Sequence, residues 1–387
     1  MTARALVTGG SGYFGALLVA QLRAAGQHVR VLDLNDPDDT GPNGAGTVGA
    51  GTVGGGTVGA GTVGAGVNDG PGADGLGRIE FIRGDIRDAV SVREAVDGID
   101  VVYHNVAQVP LAKDEHLLRT VNVDGTRVLL DAAADAGVSK VVHTSSSAVF
   151  GVPESNPVLA STVPAPREAY GLAKLAAEWA CLEAVTRRKL DVSIVRPRTI
   201  LGHGRLGIFA ILFDWIADGA DVFVLGDGSN RYQFIHADDL ADLCIRAGAA
   251  SGPAIFNAGT DRFGTMRETL ESVCAHAGTG SKVRSLPARP ASAAMRLAAA
   301  AKLAPFAPYH WIMYSKSMWF DIAHATEALG WTPQWSNDEM MQQSYDWFLA
   351  HRRSLAGSGA EGRSHHRRPA KQGALAALKL ATRLLPR

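Results

Sequence analysis

Apolar and polar positions in the first 200 residues alternate between two periods. Short runs rich in β-branched residues predict six strands, at 3–8, 28–33, 78–83, 100–104, 140–145 and 191–196. Longer amphipathic stretches, such as 114–136 and 166–188, predict helices between them. Strands that alternate with helices form right-handed crossovers, so we expect a doubly wound α/β fold with a parallel sheet covered on both faces.

Three segments depart from this pattern. Residues 36–77 are glycine-rich and repeat the unit Gly-Thr-Val-Gly-Ala, which predicts a disordered insertion within a first domain of residues 1–200. Shorter helices, isolated strands and prolines predict a smaller substrate-binding lobe over 201–355, with some segments returning to the core of the first domain. Residues 356–387 form a basic tail that we expect to be flexible or to dock a partner; the alternative is an amphipathic helix that contacts a membrane surface.

Composition excludes several classes of protein. Thirty-eight basic residues balance 38 acidic ones, so no overall field would attract nucleic acid. The three cysteines lie far apart, which predicts neither a disulfide framework nor a cysteine-rich zinc site, and no other metal-site pattern is found. Because the sequence has no signal peptide and no apolar run of about 18 residues, we expect a cytoplasmic protein.

A glycine turn follows the first predicted strand. Glycines there let backbone N–H groups approach a pyrophosphate at the start of the next helix. The second strand ends in Asp33, whose carboxylate would accept from an adenosine ribose and repel a 2′-phosphate. The turn therefore predicts an NAD site on a Rossmann-type sheet. Its candidate residues are Gly9, Gly12, Tyr13, Phe14 and Gly15.

Two further strand ends reach the same edge of the sheet. Asp85 and Ile86 follow the third strand, where Asp85 would accept from the adenine amino group; the alternative is a helix cap. Asn105 and Ala107 follow the fourth strand and are also predicted to bind the cofactor. His104 precedes them, and we interpret it as a structural residue rather than a base.

The strongest chemical signal is Tyr170-Gly171-Leu172-Ala173-Lys174, preceded by the serine cluster 145–147. Positions i and i+4 share one helix face, so Lys174 can hold its ammonium beside the Tyr170 phenol. A nearby cation favours phenolate and lowers the phenol pKa, which makes Tyr170 a usable general base. A serine hydroxyl would hydrogen-bond the reacting oxygen during hydride transfer.

With these motifs in this order, the chain resembles the extended short-chain dehydrogenase/reductase superfamily, in its NAD-dependent epimerase/dehydratase group, over residues 3 to 350. Matching segments include Asn122-Val123-Asp124-Gly125-Thr126, Arg196-Pro197 and the run that starts at Arg231. The resemblance implies that Tyr170, Lys174 and Ser146 are catalytic, with Ser147 as the alternative hydroxyl. It also implies cofactor contacts for Asn122, Lys174 and Pro197, substrate contacts for Ser146, Ser147 and Arg231, and a homodimer. Arg231 matches a position that often contacts the diphosphate of a nucleotide sugar.

One departure from the family narrows the expected reaction. Sugar dehydratases of this superfamily carry an Asp-Glu pair after the catalytic hydroxyl, where this chain has Ser147 and Ala148. Elimination would therefore lack its acid and base. The leading hypothesis is an NAD-dependent nucleotide-sugar epimerase that acts through a transient ketone. A 3β-hydroxysteroid dehydrogenase-like enzyme and a non-catalytic NAD-binding scaffold remain as alternatives, and the substrate is in either enzyme a small molecule.

Overall fold

The computed structural model describes residues 3–35, 76–108, 114–301, 303–306, 308–357 and 372–383. Its strands are β1 (Arg4–Thr8), β2 (His28–Asp33), β3 (Ile79–Arg83), β4 (Val101–His104), β5 (Lys140–Thr144), β6 (Val192–Pro197), β7 (Thr199–Leu201), β8 (Val222–Leu225), β9 (Phe234–His236), β10 (Ala254–Ala258) and β11 (Val283–Leu286). The six strands predicted from the sequence are confirmed as β1 to β6, each within a residue or so of its predicted bounds.

The helices are α1 (Tyr13–Ala24), α2 (Ala89–Val96), α3 (Glu115–Arg119), α4 (Gly125–Asp135), α5 (Ala169–Glu183), α6 (Phe209–Ala217), α7 (Ala237–Ala249), α8 (Met266–Ala277), α9 (Ala288–Ala300), α10 (Pro308–Met313), α11 (Ala323–Leu329), α12 (Asn337–Gly357) and α13 (Leu375–Arg383). A π-helical segment, Thr120–Asp124, joins α3 to α4, and a second, Ala184–Arg188, extends α5. None of the helices in the described ranges is long and apolar enough to span a bilayer.

Seven parallel strands form the main sheet, in the order β10-β6-β5-β4-β1-β2-β3. Side chains of β1 alternate between its faces: Ala5 and Val7 pack with α1 and α7, whereas Leu6 packs with α2, α4 and α5. The strand order reverses beside β1, since β2 lies on one side of it and β4 on the other. In such sheets this reversal opens a crevice at the carboxyl ends of the strands, which is where ligands bind.

A second apolar core lies in the lobe beyond residue 200. There α6, α8 and α12 pack around the two-stranded sheet of β8 and β11. Helix α13 joins this lobe through Lys379, which forms ion pairs with Asp214 and Asp218, the latter at 2.7 Å. Of the predicted glycine-rich insertion at 36–77, only Leu76 and Gly77 belong to the described residues.

Candidate active site

One cavity of about 850 Å³ runs from the carboxyl edge of the main sheet into the second lobe. It brings together all but two of the site residues predicted from the sequence. Those that line it are Gly9, Gly12, Tyr13, Phe14, Gly15, Asp33, Asp85, Ile86, Asn105, Ala107, Ser146, Ser147, Tyr170, Lys174 and Pro197. Asn122 and Arg231 do not line it.

The glycine turn brings backbone close to backbone at the start of α1. A Cβ atom added at Gly15 would lie 2.1 Å from the carbonyl oxygen of Gly9, a distance that no side chain can occupy. Gly12 caps α1 without a side-chain hydrogen bond, so the first N–H groups of the helix keep their hydrogen-bonding capacity for a ligand. The turn therefore offers an anion site at the positive end of α1.

Acidic residues line the cavity at the ends of β2 and beyond β3. The Asp33 carboxylate accepts hydrogen bonds from the N–H groups of Ser11 and Asn35, both at 3.1 Å, and burial raises its pKa. Asp85 pairs with Arg87 at 2.5 Å, and this hydrogen bond lowers the pKa of Asp85. The cap of α2 is Asp88 rather than Asp85, because the Asp88 side chain accepts from the N–H groups of that helix.

Two asparagines predicted at the cofactor have different surroundings. Asn105 lines the cavity, and its Oδ1 accepts from the Thr144 hydroxyl at 2.6 Å. Asn122 is buried. Its Oδ1 accepts from the Gln108 N–H at 2.7 Å, and its Nδ2 donates to the Gln108 carbonyl oxygen at 3.1 Å. It therefore shapes the loop after β4, while Gln108 itself lines the cavity. His104 is buried between the hydroxyls of Thr8 and Thr126 and does not line it either.

The first turn of α5 fixes Tyr170 at the cavity wall. The Glu168 side chain caps the helix by accepting from the N–H groups of Tyr170 and Gly171, at 2.9 and 2.7 Å. A Cβ at Gly171 would lie 2.5 Å from the carbonyl oxygen of Ala148, so the absent side chain lets α5 approach the short helix at Ser147–Phe150 closely. This contact brings Tyr170 and the serine cluster to one wall.

One turn later, Lys174 is almost fully enclosed, with 2% of its surface exposed. Its ammonium donates to the carbonyl oxygen of Thr144 at 2.7 Å, and burial lowers its pKa to about 8. His104 and His143 lie near it, and burial lowers the pKa of both, so both imidazoles are neutral. Lys174 is thus a cation placed close to the point where it can lose its charge at moderately basic pH.

Sequence reasoning missed Glu178, which lies one further turn along the same face of α5. Its carboxylate is buried and accepts from Arg196 at 2.6 and 2.9 Å and from the Ser145 hydroxyl at 2.5 Å. The spacing of Tyr170, Lys174 and Glu178 at i, i+4 and i+8 was a signal that could have found it. Because Ser145 is committed to Glu178, Ser146 and Ser147 are the serines of the cluster that remain for a substrate.

The substrate half of the cavity, from residue 205 onward, is largely apolar. The lining side chains that follow Arg205 include Phe209, Leu212, Trp215, Phe223, Leu286, Met295, Phe306, Leu375 and Leu378. Among the described lining residues after Arg205, none is charged. The segment 309–320 contains several methionine and tryptophan residues. Met313 and Met318 of this segment are buried in the core and do not line the cavity.

Arg231 lies away from this cavity. Its guanidinium contacts two neighbouring rings, with its carbon 4.8 Å from the ring centre of Phe263 and 4.7 Å from that of Trp319. The arginines that do line the cavity are Arg198 and Arg205, and the sequence motifs singled out neither.

The model of one protein family, the NAD dependent epimerase/dehydratase family, matches residues 5–259. The chain belongs to this family. NAD is therefore its cofactor, and the residues at the sheet edge fit it: the glycine turn lines the cavity at the start of α1, where a pyrophosphate would bind, and Asp33 lines the same cavity.

Relatives within this family have differing names. The protein y4nG of Sinorhizobium fredii is 48% identical over 99% of this chain and 87% of its own length. The UDP-glucose 4-epimerase of Mycolicibacterium smegmatis is 28% identical over 89% of this chain and 98% of its own. The sterol demethylase protein B of Methylococcus capsulatus is 36% identical over 51% of each chain.

Solved structures of the family share the fold. MoeE5, described in complex with UDP-glucuronic acid and NAD, superposes with a TM-score of 0.67 and 23% identity, over 91% of this chain and all of MoeE5. At this identity the likeness establishes the architecture alone. It agrees with the doubly wound sheet described above.

Proposed function

We propose that this protein is an NAD-dependent oxidoreductase that converts the secondary alcohol of a largely apolar substrate to a ketone. One observation carries the proposal: the cavity that contains Tyr170, Lys174 and Ser146 continues into a wall of aliphatic and aromatic side chains. Such a wall favours burial of an apolar molecule. The sequence analysis ranked the nucleotide-sugar epimerase first. We now rank it second because Arg231, the expected contact for a nucleotide-sugar diphosphate, does not line the cavity.

The proposed reaction begins with a proton transfer. Tyr170 takes the proton of the substrate hydroxyl, and Lys174 stabilises the phenolate while its own ammonium remains bonded to Thr144. NAD, held by the glycine turn and Asp33, would supply the hydride acceptor for the carbon that carries this hydroxyl. Ser146 donates a hydrogen bond to the reacting oxygen, with Ser147 as the alternative donor. The walls of the cavity exclude water from the reacting carbon.

Nucleotide-sugar epimerisation is the second candidate. It is supported by the UDP-glucose 4-epimerase relative, which matches along nearly its whole length. In that reaction the same proton and hydride transfers would be reversed on the opposite face of the ketone. A dehydrogenase releases NADH, whereas an epimerase returns the hydride to its ketone intermediate and so regenerates NAD within each cycle.

Product analysis separates these candidates. The purified protein is incubated with NAD and either a 3-hydroxysterol, UDP-glucose or dTDP-glucose, and NADH and sugar products are followed. Net NADH with the sterol, and none with the sugars, supports the proposal. Interconversion of the UDP-hexoses without net NADH would replace it by the epimerase. If no substrate of either class reacts, and NAD bound to the protein is never reduced, the non-catalytic scaffold becomes the better description.

A homodimer remains part of the proposal. Three large apolar side chains on α5 are exposed: Leu172, Trp179 and Leu182, with Trp179 at 62%. A second copy of the same helix would cover them, as a two-fold interface requires. Sedimentation of Trp179→Glu as a monomer, against a dimer for the parent, is the expected result; a parent that sediments as a monomer would contradict the dimer.

Membrane contact through the basic tail at 356–387 also stays a prediction. Residues 358–371 and 384–387 lie outside the described residues, and α13 lies on the second lobe with its Leu375 and Leu378 in the cavity wall.

A further inference from the structure

Two guanidinium groups line the cavity and have no acidic partner among the described residues. Arg198 directly follows Pro197 and is 1% exposed. Its Nη1 contacts the Met318 sulfur at 3.2 Å, and within the described ranges its Nε and Nη2 have no hydrogen-bond partner. Its planar group stacks on the Tyr232 ring, whose centre is 4.7 Å from the guanidinium carbon. Arg198 is therefore a buried cation with two unused donors.

Arg205 lines the same cavity. Its Nε is buried and has no hydrogen-bond partner in the described part of the chain, and its guanidinium carbon lies 5.5 Å from the centre of the Tyr13 ring. Burial lowers the pKa of Arg205 to about 10, the direction expected of a cation withdrawn from water. The cavity lining thus contains a second guanidinium group besides that of Arg198.

A buried cation such as Arg198 needs an anion. Withdrawing a charge from water is costly unless the charge is paired and hydrogen-bonded. Among the described residues that line the cavity, the carboxylates are Asp33 and Asp85, which lie at the ends of β2 and beyond β3 and already have partners. The substrate half of the described lining contributes no acid. A ligand must supply the counter-charge there.

We propose that Arg198 and Arg205 bind the phosphate or carboxylate of an anionic amphiphile, whose apolar part lies against Phe209, Trp215 and Leu375. The proposal deepens the proposed function and rests on it, because it assigns a substrate class to the cavity in which Tyr170 acts. The apolar part fits the uncharged wall beyond Arg205, which offers few polar groups to the edges of a nucleobase. Arg198 would provide two donors to one anion, the geometry that guanidinium groups favour.

Binding measurements test this class of ligand without requiring turnover. Calorimetry on the protein saturated with NAD would compare decyl phosphate, below its micelle concentration, with decan-1-ol and with UDP. The variants are Arg198→Met, Arg198→Lys and Arg231→Met. Methionine suits the apolar surroundings of Arg198, so Arg198→Met should melt at a temperature no lower than the parent, because an unpaired buried charge is removed.

We expect the parent to bind decyl phosphate about tenfold or more tightly than decan-1-ol. Arg198→Met should lose that preference, Arg198→Lys should keep part of it, and Arg231→Met should keep all of it. Equal affinity of the parent for phosphate and alcohol would overturn the proposal. Tighter binding of UDP than of decyl phosphate, with the UDP affinity lost in Arg231→Met, would also overturn it. So would a fall in NAD affinity in Arg198→Met as large as the fall in decyl phosphate affinity, because that result would assign the Arg198 guanidinium to the cofactor. Because no turnover is measured, failure of hydride transfer would leave these results interpretable.

Discussion

The two halves of the cavity are built from different materials. The cofactor half consists of backbone turns and short polar side chains at the ends of parallel strands, such as Gly15, Asp33 and Asn105. The substrate half is lined mainly by large apolar side chains that follow residue 205, and Arg198 and Arg205 line the same cavity. Backbone geometry fixes the first half tightly, whereas side-chain size and charge decide the second. Changes in the first half should therefore affect chemistry and cofactor binding, and changes in the second should affect substrate choice.

The largest expected effect comes from removing the hydroxyl group of Tyr170. In Tyr170→Phe the ring remains and the proton acceptor is lost, so the rate of hydride transfer should fall about 10²- to 10⁴-fold. NAD affinity should stay within about twofold, because van der Waals contacts of the ring persist. Single-turnover formation of NADH and calorimetric titration with NAD measure the two quantities. Full activity in this variant would remove Tyr170 from the reaction.

Glu178→Gln tests the buried ion pair that joins α5 to Arg196 of β6. It leaves the Arg196 guanidinium buried without a charged partner, which should lower the free energy of unfolding by about 3 to 5 kcal/mol. The carboxylate also raises the pKa of Lys174, which is about 8. Activity should fall as Lys174 loses its proton above that pH, and in the variant this fall should begin at lower pH.

Chemical denaturation and a pH–rate profile check both parts of this prediction. Glu183→Gln is the matched control, since its pair with Arg187 lies on the exposed side of the same helix and should be worth about 0.5 kcal/mol or less. If the folded Glu178→Gln protein lost activity at the same basic pH as the parent, Glu178 would act on stability alone.

Gly15→Ala tests the backbone turn. The added methyl group would meet the Gly9 carbonyl, so the turn must move, and overpacking of this kind costs about 1 to 3 kcal/mol. We expect most of that cost as weaker NAD binding, by roughly 5- to 150-fold. Gly26→Ala is the control, because a Cβ there meets nothing within 4 Å. Its positive φ of 79° should lower stability without a specific effect on NAD affinity.

The smallest expected effect lies in the substrate half. Lys379→Ala removes the ion pairs that hold α13 against Asp214 and Asp218, which should cost about 1 kcal/mol or less. Amide hydrogen exchange in 375–383 should become faster while NAD affinity is unchanged. Lys282→Ala removes an exposed lysine of the same lobe and serves as the control. Slower or equal exchange in Lys379→Ala would show that the ion pairs do not hold this helix.

This contrast explains how far the sequence could predict the molecule. Strands β1 to β6 were predictable because their apolar runs are short and separated by glycine or helical segments. The cofactor half was predictable because glycine spacing and strand-end acids report backbone geometry directly. Asn122 shows the limit of such motifs, since the fold uses it to hold Gln108 rather than to line the cavity. The same limit applies to Arg231, whose contact with Phe263 and Trp319 depends on loops far apart in the sequence.

Arg198 and Arg205 could not be found in this way, because an arginine's burial and lack of a partner are tertiary properties. One signal was available: the strand-forming run from Val192 to Leu201 contains two charged residues, Arg196 and Arg198, and Arg198 directly follows Pro197. A charge inside such a run is a reason to look for a buried ion. Glu178 had a comparable signal, since it lies on the same face of α5 as Tyr170 and Lys174.

Part of the cavity wall comes from segments that follow the matched family region, which ends at residue 259. Phe306, Leu375 and Leu378 all come from this later stretch of chain. Two proteins with the same hydride chemistry can therefore differ in the molecules they admit through changes confined to their last hundred or so residues. For this protein, exchanging that carboxyl-terminal portion with a relative's would be a direct route to new specificity, with the proton relay left intact.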